Sequence, residues 1–141
     1  MLRAVPDVNV LVSALITPTG PAGRIMDAWR RDEITFITSQ PIIDKVDEVL
    51  RRPHLLDTYP IDVTDIQQAQ LLLQEEAVVT PHTLDLHVIK EDPEDDNILI
   101  AAVEGKADCI ISGDNHLKKL GTYQGIPILS PTEFVTQHKI L

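Results

Sequence analysis

Five short apolar runs, each separated from the next by segments with helical spacing, constrain this chain more than any other feature. They fall at residues 2–5, 34–38, 77–79, 109–112 and 126–129, and β-branched and other aliphatic side chains dominate them. Parallel partners need a crossover long enough to hold a helix, so strands alternating with helices predict a parallel sheet. The expected class is α/β, a three-layer sheet flanked by helices. At 141 residues, with no repeat, low-complexity tract or linker, residues 1–141 read as a single domain.

The intervening segments carry ordinary helix signals. Asp7-Val8-Asn9 offers capping chemistry ahead of Val10, Leu11, Ala14 and Leu15. Pro21 opens a helix over 21–31, with Ile25, Met26 and Trp29 on one face. Ser39 sits at the cap position of a helix over 40–51, whose apolar residues Ile42, Ile43, Val46, Val49 and Leu50 share a stripe. A helical turn is expected over 55–59, a mixed connection over 81–91, and further helices over 64–76, 96–104 and 131–138.

Twelve basic against 22 acidic side chains give a net charge of −10. That balance argues against a general nucleic-acid coat protein, which needs a basic footprint. It is compatible with an enzyme that gathers carboxylates around a cation and grips phosphates with a few local Arg and Lys. The single cysteine, Cys109, rules out an intramolecular disulfide and reads as a small buried hydrophobe. Pro6, Asp7 and Asn9 interrupt the apolar start, no cleavage pattern follows, and no stretch reaches the ~20 apolar residues of a membrane span. A cytoplasmic protein without a membrane segment is expected.

The acids between Asp92 and Asp114, in DPEDDNILIAAVEGKADCIISGD, are the densest chemical signal. Functional groups in an open parallel sheet collect at the carboxyl ends of strands. Asp7 follows the first strand, Asp114 follows the 109–112 strand through one glycine, and Asp95 and Asp96 begin a helix. Each has a plain structural reading: Asp7 as a cap, Asp95 and Asp96 as complements to a helix dipole, Asp114 as a turn residue. Their convergence on one edge needs something further. Two carboxylates about 4 Å apart repel by roughly 4 kcal/mol at an effective dielectric near 20, so a close cluster takes up protons or a cation. An oxygen-only set suits Mg²⁺ or Mn²⁺, and such a site can hydrolyse phosphodiesters.

VPDVNVLVSAL, DPEDDNILIAA, ADCIISGDNHLKKL and IPILSPTEF, in that order along nearly the whole chain, resemble the PIN-domain ribonucleases. The nearest likeness is to the VapC-like toxins of toxin–antitoxin pairs. The resemblance implies a Rossmann-like sheet, a Mg²⁺ or Mn²⁺ site of three or four acids, and cleavage of single-stranded RNA leaving a 5′-phosphate. It also implies an antitoxin partner and a homodimer or higher oligomer. Asp7 matches the first family acid, Asp114 the acid after the later strand. Asp96 matches the acid that starts the helix, because Leu99 and Ile100 occupy the apolar positions three and four residues on. Where the family carries a helical Glu, this chain has Lys45, with Asp44 and Glu48 as neighbouring substitutes. The departure leaves three outcomes: replacement by Asp44 or Glu48, a three-acid site, or a PIN-like interaction module with weakened or lost catalysis. In that last case Lys45 would pair with Asp7 or Asp96.

Asn9, Ser39 and Ser112 are supporting candidates beside the acids. For RNA contact the candidates are Arg24, the pairs Arg30-Arg31, Arg51-Arg52 and Lys118-Lys119, and His116, two residues beyond Asp114. Phosphate contacts of this kind give salt-dependent affinity without sequence choice. The other histidines have no paired metal spacing. A phosphoacceptor signalling domain shares the acid-at-strand-end logic but wants paired acids directly at the first strand, which this chain lacks.

Overall fold

The computed structural model describes residues 1–140. Six strands, β1 (Arg3–Pro6), β2 (Thr35–Ser39), β3 (Val78–Thr80), β4 (Cys109–Ile111), β5 (Thr122–Tyr123) and β6 (Ile126–Leu129), form one sheet in the order β3-β2-β1-β4-β6-β5. Eight helices surround it: α1 (Val8–Ile16), α2 (Pro21–Arg30), α3 (Gln40–Leu50), α4 (Pro53–Thr58), α5 (Val63–Glu76), α6 (Asp96–Glu104), α7 (Asn115–Leu120) and α8 (Pro131–Gln137). The α/β expectation holds, since every strand pair is parallel except β5–β6.

The central strands β1 and β4 are buried almost throughout, as expected of parallel strands covered on both faces. Helix α6 runs against β1, β2 and β4 and buries Ile98, Leu99, Ile100, Ala101 and Ala102. At its end Gly105 approaches β2 so closely that a Cβ there would stand 2.5 Å from Ile37 Cγ2. Aliphatic side chains fill most of the interior, and the stacked pair Trp29–Phe36, with centroids 4.6 Å apart, is its main aromatic contact.

Two elements differ from expectation. The edge strand β5 is antiparallel to β6, because Gln124 and Gly125 both adopt positive φ (49° and 80°) and close a two-residue hairpin. Helix α7, following Asp114, was expected to be a turn; the Asp114 carboxylate caps it by accepting from the N–H groups of His116 and Leu117. No helix among the described residues is long and apolar enough to cross a membrane.

The register brings strand ends together. Pro6 pairs with Ile111, and one residue further the Asp7 N–H donates to Ile111 O at 3.0 Å. Ser112 N–H then donates to Leu129 O at 2.8 Å. Pro6 costs the ladder nothing at this position, since it is the last residue of its strand. The sheet order reverses between β1's two neighbours, β2 and β4, so Asp7 stands where an open α/β sheet places its crevice.

Candidate metal centre

A cleft of about 360 Å³ opens at this crevice. Seven carboxylates line it, from Asp7, Asp44, Glu48, Asp92, Glu94, Asp95 and Asp114, against two cations, Lys45 and Arg52. The excess of acid makes it attractive to a cation and repellent to a bare phosphate.

Asp7 is 4% exposed and both of its oxygens are engaged. Oδ1 accepts from Val10 N–H at 2.8 Å, which caps α1, and Oδ2 accepts from the Ser112 hydroxyl. Burial pushes this carboxyl above its ordinary value, against the lowering effect of the Ser112 and Val10 hydrogen bonds. Ser112 Oγ also accepts from Asp114 N–H at 3.0 Å, so one buried hydroxyl sets the positions of Asp7 and Asp114 together. An ionised carboxylate has about four lone-pair sites, so Asp7 keeps acceptor capacity for a cation.

The two acids at the start of α6 separate. A turn of 3-10 helix over Pro93–Asp95 precedes it, and successive side chains of a helix point about 100° apart. Asp95 faces the cleft; Asp96 does not line it. Asp96 is 5% exposed, and its Oδ1 accepts from the backbone N–H groups of Val88 (3.1 Å) and Ile89 (2.9 Å). Asp95 therefore lines the cleft with Asp7 and Asp114 in the place expected of Asp96. The reason lies in the same apolar residues that suggested Asp96. Leu99 and Ile100, three and four residues on, are core residues, and a helical residue shares their face. Asp95, one position earlier, stands three residues before Ile98, which is buried too but is the residue of this apolar run that lines the cleft. The legible signal was the spacing of Asp92 and Asp95, one turn apart across Pro93.

Asp95 Oδ2 is a buried atom with no hydrogen-bond partner among the described residues. Burial first, then the charges of Asp114, Asp92 and Asp7, push its carboxyl up to about 7. The raised value marks the repulsion among these acids, which a proton or a cation would relieve. The orphaned oxygen and the oxygen-rich lining fit a divalent ion: Asp92 and Asp95 bring ligand atoms within 4.8 Å of each other, and Asp7 and Asp114 line the same cleft. His116 Nδ1 lies 3.7 Å from Asp95 Oδ2 and 3.8 Å from Asp114 Oδ1.

Lys45 does not enter the acid cluster. Its Nζ lies 3.1 Å from Glu48 Oε2 and 3.2 Å from Glu94 Oε2, linking α3 to the turn before α6 at the cleft mouth. The expected pairing with Asp7 or Asp96 is absent. Asp44 accepts from Gln40 Nε2 at 2.8 Å and Glu48 pairs with Lys45, and both line the cleft. Asn9 is exposed on the cleft wall. Ser39 stands at the cap of α3, yet its hydroxyl makes no capping bond and is buried without a partner.

Among the basic candidates, Arg52 lines the cleft, while Arg51 pairs with Asp47 at 3.0 Å. Lys118 pairs with Glu133 of α8, and neither it nor Arg24 lines the cleft. Arg24 is half-buried in α2, its Nε unpartnered.

The PIN domain family profile matches residues 3–116, a span that contains Asp7, Asp95, Asp114 and His116. An uncharacterized protein of Methanocaldococcus jannaschii is 31% identical over 120 residues, covering 84% of this chain and 75% of the relative. The chain belongs to the PIN domain family. PIN domains are generally metal-dependent nucleases, which supports a hydrolase role.

Proposed function

We propose that the protein is a Mg²⁺- or Mn²⁺-dependent endoribonuclease that cleaves single-stranded RNA. One observation carries the reading: Asp95, its Oδ2 unpartnered, lies among Asp7, Asp92 and Asp114 in an open cleft at the sheet's crevice. A divalent ion bound there supplies charge stabilisation at the phosphoryl oxygens and a more nucleophilic water. Asp7, Asp95 and Asp114 hold it, and Ser112 fixes the first and last of these relative to each other. Lys45 and Arg52, the two cations that line the cleft, offer the RNA backbone its contacts and offset the acidic field that phosphates meet. Hydrolysis adds water across the P–O3′ bond, leaving a 5′-phosphate and a 3′-hydroxyl.

A toxin role, with an antitoxin partner and a homodimeric or larger assembly, belongs to the same reading and rests on the family resemblance. Expression that arrests growth, with relief by Asp95→Asn, would support it; equal growth of both strains would count against it. For the activity itself, single-stranded RNA should be cut with Mn²⁺ and left intact after EDTA treatment, with cutting restored by fresh Mn²⁺. Cleavage that persists in EDTA would sink the metal mechanism.

The second reading, a PIN-like module that binds without cutting, draws on Lys45. It requires the ammonium to neutralise the acids that would hold the ion, and the Glu48 and Glu94 contacts keep it at the rim instead. That module would bind no Mn²⁺ in calorimetry and would gain binding in Lys45→Glu.

A further inference from the structure

We infer that His116 is a ligand of the divalent ion, its Nδ1 joining carboxylate oxygens of Asp92 and Asp95 in a mixed nitrogen–oxygen set that prefers Mn²⁺ to Mg²⁺. The inference rests on the proposal that the cleft holds a divalent ion, and it specifies which ion.

One ligand atom from each of Asp92, Asp95 and His116 lies within 4.8 Å of the others. His116 is positioned by its own backbone, whose N–H donates to Asp114 Oδ1 at 2.8 Å at the start of α7. That contact places the imidazole over the acids, with Nδ1 3.7 Å from Asp95 Oδ2. Both atoms are buried and neither has a hydrogen-bond partner among the described residues. A separation of 3.7 Å is too long for a hydrogen bond between them. It lies between the separations of two ligands of one octahedral ion, roughly 3.0 Å for neighbours and roughly 4.2 Å for opposite ligands at ligand distances of about 2.1 Å, so a small side-chain shift brings both atoms onto one ion.

A phosphate contact is the weaker role for this imidazole. Nδ1 faces Asp95 and Asp114, and an anion brought there would meet both carboxylates. The donor chemistry then bears on the choice of ion. Mg²⁺ prefers an all-oxygen octahedron and keeps several waters. A neutral imidazole nitrogen is a better partner for first-row transition ions.

The test uses the full chain stripped with EDTA and reloaded with Mn²⁺, read by electron spin echo modulation and by calorimetry. The unaltered protein should show ¹⁴N modulation from a directly bound imidazole, and His116→Ala should abolish it. The same substitution should weaken Mn²⁺ on the order of tenfold and Mg²⁺ by less than about threefold. His116→Asp, which restores an oxygen donor, should bind Mn²⁺ without ¹⁴N modulation and discriminate less between the two ions. Mn²⁺ bound to the unaltered protein without ¹⁴N coupling, or coupling that survives His116→Ala, overturns the role of His116 and leaves the proposed function standing. Failure of the unaltered protein to bind Mn²⁺ overturns both.

Discussion

Asp95 and Asp96 are adjacent in the chain yet serve different ends, because the start of α6 turns one into the cleft and the other toward the loop that runs over residues 81–91. Removing the Asp96 carboxylate leaves the Val88 and Ile89 N–H groups without an acceptor, at about 1–3 kcal/mol for a buried group left unsatisfied. Asp96→Ala should therefore lower stability in urea denaturation by that order, and Asp96→Asn, which keeps an accepting oxygen, by clearly less. Asp95 has a different signature. Its carboxyl is raised from 3.8 to about 7, by burial first and then by Asp114 and Asp92, so in the absence of metal the folded state binds more protons than the unfolded chain between those values. Stability contributed by this group is thus greatest below pH 3.8 and falls as pH rises toward 7. In thermal melts with EDTA, the advantage of Asp95→Asn over the unaltered protein should grow from pH 4 to pH 7.5. A constant difference would contradict the raised value. A string of acids at a helix start announces a cluster, but which of two adjacent side chains faces it depends on where the first regular turn begins. Here a turn of 3-10 helix intervenes, and composition carries no mark of it.

At the scale of elements, α6 acts as a clamp as well as a support. Asp96 at its first turn and Glu104 at its last hold the same connection between β3 and the cleft. Glu104 accepts from the N–H groups of His82, Thr83 and Leu84 and from the Thr83 hydroxyl. Burial alone would raise the Glu104 carboxyl, but the hydrogen bonds from Thr83, Leu84 and His82 outweigh it and hold the group at about 2. Glu104→Ala should speed amide hydrogen exchange at residues 82–84 and leave the β1 amides unchanged; equal protection in the variant would show that the loop needs no such tether. The strands were legible because β-branched runs bounded by Pro, Gly and Ser leave little choice, and β6 falls at its expected residues, 126–129. The hairpin partner β5 was not, since two residues are too few for a periodic signal and its turn is built by Gln124 in an unusual backbone conformation. Helix α7 was missed for a related reason: Ser-Gly-Asp-Asn reads as turn chemistry, and the Asp114 cap that starts the helix uses the same residues.

For the molecule as a whole, parallel α/β layering follows from alternation of strand and helix, but the strand order does not. Periodicity fixes which side chains are inward; which strands are neighbours depends on long-range pairing such as Pro6 with Ile111. That pairing brings Asp7 and Ser112 together from residues 105 apart in the chain. Much of the candidate site was therefore visible as residue types at strand ends, while its membership, Asp95 in place of Asp96 and Lys45 bound at the rim, required the packed helices. The net charge of −10 finds its local counterpart in a cleft with seven acids and two bases, whose repulsion a divalent ion would relieve. The most direct test compares Asp95→Asn with Asp96→Asn for Mn²⁺ binding and for cleavage of single-stranded RNA. Asp95→Asn should lose both, with cleavage reduced by about 100-fold or more, while Asp96→Asn stays within about threefold of the unaltered protein in each. Full activity in Asp95→Asn, with loss confined to Asp96→Asn, would contradict the assignment of the metal centre.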